Sequence, residues 1–545
     1  MIIDRMKLRI GQTQYSLCIG LALMLLAGVS WTYGSSSSAP KDNSPGPAPI
    51  PRVVYAHYMH CFVLGYIVPE YTYLIPSSKG DDDLERWPQK DTMYSNFWPE
   101  NLASSCQNGD AALQKDFDLG RSAGLDAFGL LTGPGKLTSK YGPGEVAMFR
   151  LAAKNAVKIL PEVFQNPHPN LSSEEMQQQF ATFGTELKKV MDEYPDGVLR
   201  IDGKPALLLA RLDLDNCRSL KPFFDVFGGA QNFFLIGYIP INHYAKSQFL
   251  ASPDDSYLPH IEGCPMSAVS AWAATDGYAD PLNSALPRVA KSTHELLDWP
   301  VNLPFYNVVL YPRPPGPVWI SESLGAARFI DQWLYAISQR AAMVDLQTWN
   351  DFTETTLTDT NHQGTSFIEL NHYFSNWYHN GSPETPTKDQ LWLFYHHQLV
   401  DAEVGGRRAN DPGVRNETPV TDYVEVVSLL KEPGTLEFET GGAHYSIQAQ
   451  AGLHDWLLIA GASMDRAMKV TVTRANRQAM PLSNSYPRSS SWRTVQSIRG
   501  LNPGLPVVTL TRGGKPALTL PGRTSILGRA PLEDLGVVGS TATAP

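Results

Sequence analysis

At residues 344–351 the chain reads VDLQTWND. This stretch is a short apolar run that ends in a cluster of polar groups. Before it lies a segment in which Ile330, Trp333, Leu334, Ile337 and Ala341 recur at helical spacing. As a strand it is the eighth of a series. The other seven are VVYAHYM (Val53–Met59), GLDAFGLL (Gly124–Leu131), KILPEVFQ (Lys158–Gln165), KPALLLARLD (Lys204–Asp213), FFLIGYIP (Phe233–Pro240), SAVSAWA (Ser267–Ala273) and PFYNVVLYP (Pro304–Pro312). Helical patterns separate several of them. Met176, Phe180, Phe183, Leu187 and Val190 line one face, and SSEE at Ser172–Glu175 is a capping box that starts that helix. After the eighth strand, Phe367, Leu370, Phe374 and Trp377 mark another helix, with SFIE at Ser366–Glu369 predicting a second capping box. Eight strands alternating with helices over roughly 350 residues predict an α/β fold, a (β/α)8 TIM-like barrel. An open doubly wound sheet would call for G-x-G-x-x-G after the first strand, and none is there.

Outward from the barrel, the domain plan follows from texture. Arg5, Lys7 and Arg9 precede the apolar run Leu17–Val29, so residues 1–33 read as a signal peptide or, left uncleaved, a signal anchor. Residues 34–51 are a Ser/Pro/Gly-rich linker and 52–404 the barrel. A second linker spans 405–420. Short alternating runs over 421–530 (YVEVVSLL, GTLEFET, HYSIQAQ, DWLLIAG, MKVTVTR) predict an all-β sandwich, and 531–545 a flexible tail. The export segment places the rest outside the cytoplasm, secreted or periplasmic, with membrane contact through that segment alone. Cys61, Cys106, Cys217 and Cys264 suit an oxidising compartment, and sequence neighbours (Cys61–Cys106, Cys217–Cys264) are the expected disulfide pairs.

Composition excludes several classes. A net charge of −10 without a basic stripe argues against nucleic acid. The cysteine and histidine spacings match no metal site, no cofactor fingerprint is present, and no G-x-S-x-G elbow points to an α/β-hydrolase. TGPGKLTSK departs from a phosphate loop, with Leu137 where Ser or Thr is required.

Paired carboxylates remain. D-x-x-E occurs at Asp82/Glu85, Asp351/Glu354 and Asp422/Glu425, and of these only Asp351/Glu354 follows a barrel strand, where barrel chemistry resides. In a continuing strand the two side chains would point to opposite faces, so a shared pocket requires a bend between them. Three residues reach roughly 10 Å when extended and roughly 5–6 Å across a helical turn; that range spans both retaining and inverting glycosidase geometries. Two solvated loop acids fit the same spacing. Other strand ends add His57, Tyr58, Asp126, Glu162, Gln165, Asp213, Tyr238, Trp272 and Tyr311 as candidate pocket residues, with Trp349 and Asn350 beside the acid pair. Aromatics at 10% of the chain would suit sugar stacking, although each ring singly fits a core as well.

These residues carry a resemblance. VVYAHYM, AGLDAFGLL and above all TWNDFTET resemble segments of glycoside hydrolase family 71, the endo-α-1,3-glucanases or mutanases, whose motif is TWND-x-x-E. FSNWYHNGSPETPTKDQLWLFYHH is similar to that family's pattern downstream, and the resemblance runs from Val53 to about Arg474. It implies a cofactor-free, monomeric hydrolase that cleaves internal α-1,3-glucosidic bonds of a polysaccharide with inversion. Carried over, Glu354 is the general acid and Asp351 the general base. Three departures bear on substrate: Phe164-Gln165 where the family has Phe-Asp, Thr353-Glu354 where it has Gly-Glu, and His396-His397-Gln398-Leu399 in place of an Arg-Pro-His-Pro-like run. A related barrel hydrolase acting on α-mannan or mixed α-glucan, and a non-catalytic carbohydrate-binding protein of the cell surface, are the rival readings.

Overall fold

The computed structural model describes residues 51–60, 63, 66, 109–164, 171–210, 219–239, 264–271, 279–307, 318–321, 324–351, 356–357, 365–396, 414–416, 422–440, 443–460, 493–498, 506–522 and 537–544. The export segment, Asp82/Glu85 and MKVTVTR lie outside them. Eight parallel strands form the barrel: β1 (Val53–Tyr58), β2 (Ala127–Thr132), β3 (Lys158–Val163), β4 (Lys204–Leu209), β5 (Phe234–Ile239), β6 (Met266–Ala271), β7 (Leu296–Asn302) and β8 (Met343–Gln347). Their order is β3-β2-β1-β8-β7-β6-β5-β4, and pairing of Glu162 with Leu208 and Val163 with Leu209 joins β3 to β4 and closes the cylinder. Alternation sorts the side chains. Val53, Tyr55, Ala127, Leu160, Leu208, Ile236, Tyr238, Ala268 and Met343 pack together inside, whereas Val54, Tyr58, Phe128, Leu207, Trp299 and Leu346 join the layer beneath the helices.

The helices that cover this barrel are α1 (Asp110–Ser122), α2 (Gly142–Ala152), α3 (Ser173–Glu193), α4 (Lys221–Val226), α5 (Ala279–Thr293), α6 (Ala327–Gln339) and α7 (Ser366–Asn380). α3 begins with the expected capping box: Glu175 N–H donates to Ser172 Oγ, and Ser172 N–H donates to the Glu175 carboxylate. The second expected box is absent. Thr365, not Ser366, precedes the first turn of α7, and the Glu369 carboxylate instead accepts from Thr365 Oγ1, Trp392 Nε1 and Thr541 Oγ1 at 2.6, 3.0 and 2.7 Å.

The seventh strand is also corrected. Barrel strand β7 is LLDWPVN, and Phe305–Asn307 belongs to a separate small sheet with Val318–Ser321 and Val414–Asn416. Asp298 and Pro300 break the apolar run that sequence reading seeks, but the fold accommodates the acid because Tyr55 donates to Asp298 Oδ2 at 2.6 Å inside the barrel.

After α7 the chain forms two antiparallel-rich sheets. One contains β9 (Asp389–His396), β10 (Tyr423–Leu430), β13 (Gly452–Ala460), β14 (Arg493–Ile498) and β17 (Val537–Ala544); the other contains β11 (Gly434–Thr440), β12 (Ala443–Ala449), β15 (Val507–Arg512) and β16 (Lys515–Pro521). Leu391, Leu393, Val424 and Val426 of the first sheet pack with Leu436, Phe438, Val508 and Leu510 of the second, as in a sandwich. Trp392, Phe394, Tyr423 and Val427 point the other way, into the barrel's helix layer. The central strands are thus covered on both faces, which explains why LWLFYH and YVEVVSLL read as nearly unbroken apolar runs. Residues 389–396, placed by sequence in the barrel segment, belong to this sheet. Residues 537–544, placed in the tail, pair with β9 along its whole length.

One tight contact joins the two parts. Gly325, at φ +70°, lies just before α6, and a Cβ there would strike the Glu425 carboxylate and stand 2.9 Å from Phe394 Cβ. The same carboxylate accepts the Ala326 N–H at 2.6 Å. Gly325→Ala is therefore expected to lower unfolding free energy by about 2–4 kcal/mol, from the left-handed backbone and the overlap together. An unchanged urea midpoint would refute this packing.

Candidate functional site

A parallel strand buried on both faces ordinarily carries apolar side chains, yet polar residues at period two occupy the inner face of this barrel. Tyr55 and His57 come from β1, Glu162 from β3, Tyr238 from β5, Asp298 and Asn302 from β7, and Asp345 and Gln347 from β8. His57, Glu162, Tyr238, Asp298, Asn302, Asp345 and Gln347 are all at most 3% exposed. Groups this deeply buried persist only when paired.

His57 is the hub. Its Nδ1 meets Glu162 Oε2, and its Nε2 lies 2.8 Å from Asp345 Oδ1 and against the Tyr238 hydroxyl. Tyr238 Oη also donates to Asp345 Oδ2 at 2.5 Å. Gln347 Nε2 donates to Asp345 Oδ2 at 2.8 Å and to the Ala271 carbonyl at 2.9 Å, tying β8 to β6. Burial by itself would depress the imidazole pKa, but the carboxylates of Asp345 and Glu162 outweigh it and raise the value to about 10. Glu162 is itself pushed up by burial, with His57 opposing. Asp298 is held well above the usual carboxylate range by burial and then by the nearby Asp345 charge. At neutral pH the layer holds the His57 imidazole as an imidazolium, and burial works against ionisation of Glu162 and Asp298 around it.

The TWND segment follows β8 at the C-terminal end of the barrel and runs beside the end of β1. Trp349 N–H donates to the His57 carbonyl at 2.7 Å, and Met59 N–H donates to Asn350 Oδ1 at 2.7 Å, so the segment is stitched to the end of β1. Asp351 N–H donates to Thr348 Oγ1 at 3.1 Å. Asn350 and Asp351 then pair antiparallel with Leu357 and Thr356, so the chain has reversed direction by Thr356. Asp351 is 3% exposed. Glu354 lies outside the described residues.

Of the sequence-derived candidates, the structure brings His57, Glu162, Tyr238, Asn350 and Asp351 to the C-terminal half of the barrel; Asp213 lies outside the described residues. Three candidates go elsewhere. Tyr58 points outward and its hydroxyl bonds Asp116 of α1, because residues 55 and 57 take the inner face of β1 and leave 58 the outer. The Trp349 ring is fully buried in the same outer layer, edge-on to Phe128 at 5.2 Å. Asp126 precedes β2 at the opposite end of the barrel, where its carboxylate accepts from Val54 N–H at 2.8 Å and contacts His379 Nε2 at 3.0 Å. Gln165, Trp272, Tyr311, Cys61, Cys106 and Cys217 lie outside the described residues; Cys264 is disulfide-bonded. Missing from the sequence reading were Tyr55, Asp298, Asn302, Asp345 and Gln347. Their signal was the i, i+2 polar pairs Tyr55/His57 and Asp345/Gln347 within apolar strands.

Among the described residues no cluster of three His, Cys, Asp or Glu side chains could hold a metal ion, and no helix is long and apolar enough to cross a membrane. No family model and no curated protein matches the chain. Among solved structures it is similar to the GH99 endo-alpha-mannosidase from Bacteroides thetaiotaomicron, at 14% identity and a TM-score of 0.44 over 60% of this chain and 97% of that one. It is also similar to a glycoside hydrolase-like protein (12%, TM-score 0.38, 61% and 97%) and to the GH1 beta-glucosidase from Exiguobacterium antarcticum B7 (9%, TM-score 0.36, 61% and 98%).

The buried imidazolium has a signature in pH. Its folded pKa of about 10 exceeds the unfolded value of roughly 6.5. Folding thus retains a proton that the unfolded chain releases. This stabilisation is complete below the unfolded value and is lost as pH rises towards the folded one. The raised Glu162 and Asp298 act in the same sense. The thermal midpoint is expected to fall between about pH 7 and pH 10, and His57→Gln to flatten that decline. Parallel profiles for the two proteins would contradict the assignment.

Proposed function

We propose that this chain is an exported glycoside hydrolase that cleaves internal α-1,3-glucosidic bonds of a polysaccharide with inversion, using Asp351 and Glu354. The observation that supports the reading is the tethering of TWND to the end of β1 at the C-terminal end of the barrel, with the chain turned back by Thr356. A reversal there supports the bend that two acids at this spacing need if they are to serve one pocket. The resemblance of TWNDFTET to family 71 supplies the linkage and the roles.

In this mechanism Glu354 protonates the leaving glycosidic oxygen while Asp351 takes a proton from the water attacking the opposite face of the sugar. The bond from the anomeric carbon to the leaving oxygen breaks as the bond to water forms, so configuration inverts. The buried layer below supplies a rigid floor. Its hydrogen bonds hold β1 and β8 in one register, and these are the two strands from which the TWND segment is hung. No cofactor enters the chemistry.

Purified protein offered α-1,3-glucan, α-1,4-glucan, β-1,3-glucan and α-mannan should cleave the first, with NMR showing the β-anomer released initially. Asp351→Asn and Glu354→Gln should each lower turnover by about 10²–10⁴-fold while leaving the fold intact. Near-wild-type turnover by both variants would sink the site assignment, and initial release of the α-anomer would overturn inversion.

A further inference from the structure

Beside the barrel mouth lies a cavity of about 660 Å³, within the size range of ligand pockets. It is bounded by the end of β2, the loop between β2 and α2, residues just after β1 and β3, and the N-terminal half of α3. Its wall adjoins the strands that carry the layer described above. Leu131, in its wall, is the register partner of Glu162; His60 follows His57 by three residues, and Phe164 follows Glu162 by two.

The lining has a particular chemistry. Tyr141 and Phe164 supply rings, and the Tyr141 ring packs edge-on to His60 at 4.9 Å. Gln178, Gln179 and Thr182 project amides and a hydroxyl from successive turns of α3. Charge is balanced: among the lining residues the Lys136 ammonium, which sits 5.0 Å from the centre of the Tyr141 ring, is opposed by the Glu186 carboxylate. His60 adds no charge, because burial and then the nearby Lys136 depress its pKa to about 3. Its Nδ1 is shielded from solvent and has no hydrogen-bond partner among the described residues, and the same holds for Glu186 Oε2. Buried polar atoms of this kind await a partner. A phosphate or acidic ligand would require unopposed cations, which this lining lacks. A purely apolar ligand would leave the His60 nitrogen and the Glu186 oxygen without partners.

Resting on the glycosidase reading, we propose that this cavity is an accessory subsite that holds neutral sugar units of the polysaccharide away from the bond being cleaved. Rings stack on sugar faces while planar amides and the His60 nitrogen pair with hydroxyl groups. The enzyme would then favour long chains over short ones, since units bound here add binding energy that a short oligosaccharide cannot reach.

The test compares kcat/KM for a long soluble α-1,3-gluco-oligosaccharide with that for the shortest one cleaved. Two variants are used: Thr182→Trp, which fills the cavity, and Gln178→Ala/Gln179→Ala, which removes the amides. All three positions are exposed on α3, and circular dichroism checks that both variants fold. The long-to-short ratio is expected to fall about tenfold in each variant. An unchanged ratio in both, with wild-type cleavage intact, overturns the subsite and leaves the glycosidase reading standing. A wild-type chain that cleaves none of the glycans overturns both.

Discussion

A buried imidazolium held between two carboxylates sets the terms for the rest of this molecule. His57, Glu162, Tyr238 and Asp345 come from four different strands, β1, β3, β5 and β8, and they meet only if every intervening strand keeps its register. A slip of one residue in any of them would turn a charged group outward into the helix layer and an apolar one inward. Removing one member of such a cluster leaves another buried charge uncompensated, a cost of about 3–5 kcal/mol in comparable cases. The cluster therefore ties the register of its four strands to the pairing of its buried charges. Such a network fits a barrel whose upper layer must hold one geometry.

From that layer the constraint passes to the TWND segment. The carbonyl that accepts the Trp349 N–H belongs to His57 itself, so the hub of the interior network is also an anchor of the motif. Asn350 adds a second anchor at Met59. Trp349 has a structural task in the same arrangement: its ring is buried in the outer core, edge-on to Phe128. Sequence reading kept that ring among the candidate pocket residues because an aromatic next to paired acids has the same local appearance in either role. Which face a ring takes is decided by the parity of its strand, and that became readable only with the true strand ends.

The barrel and most of its strands were legible because β1 to β6 and β8 are apolar runs bounded by polar or turn residues. The seventh was not. LLDWPVN carries an acid and a proline in the middle of a buried strand, and what stabilises it there is Tyr55, far away in sequence. PFYNVVLYP has better strand composition, and its first residues form a strand, but in a different sheet. Tertiary partners overrode local propensity in both cases. The acid pair was legible as a motif. The layer beneath it was not, since a polar residue in an apolar run is ordinarily taken as a strand end, and here Asp298 and Asp345 lie within strands.

The placement of β9 carries the last step. Trp392 and Phe394 of this strand face the barrel, where Phe394 lies 5.2 Å from Phe367 of α7, and Phe367 lies 5.2 Å from Phe329 of α6. Helices α6 and α7 directly precede and follow the β8–TWND region, and Trp333 Nε1 of α6 donates to Asn371 Oδ1 of α7 at 3.1 Å. Glu425 holds the first turn of α6, and Glu369 of α7 bonds two strands of the five-stranded sheet. The sheet thus clamps the two helices that flank β8 from outside, while the His57 cluster clamps β8 from inside. A β module joined through a mobile hinge could do neither. Its strand order, with β17 returning to pair with β9 beside the barrel, ties the far end of the chain to that same strand. The second module is therefore part of the support for the barrel mouth, whatever its outer sheet contacts.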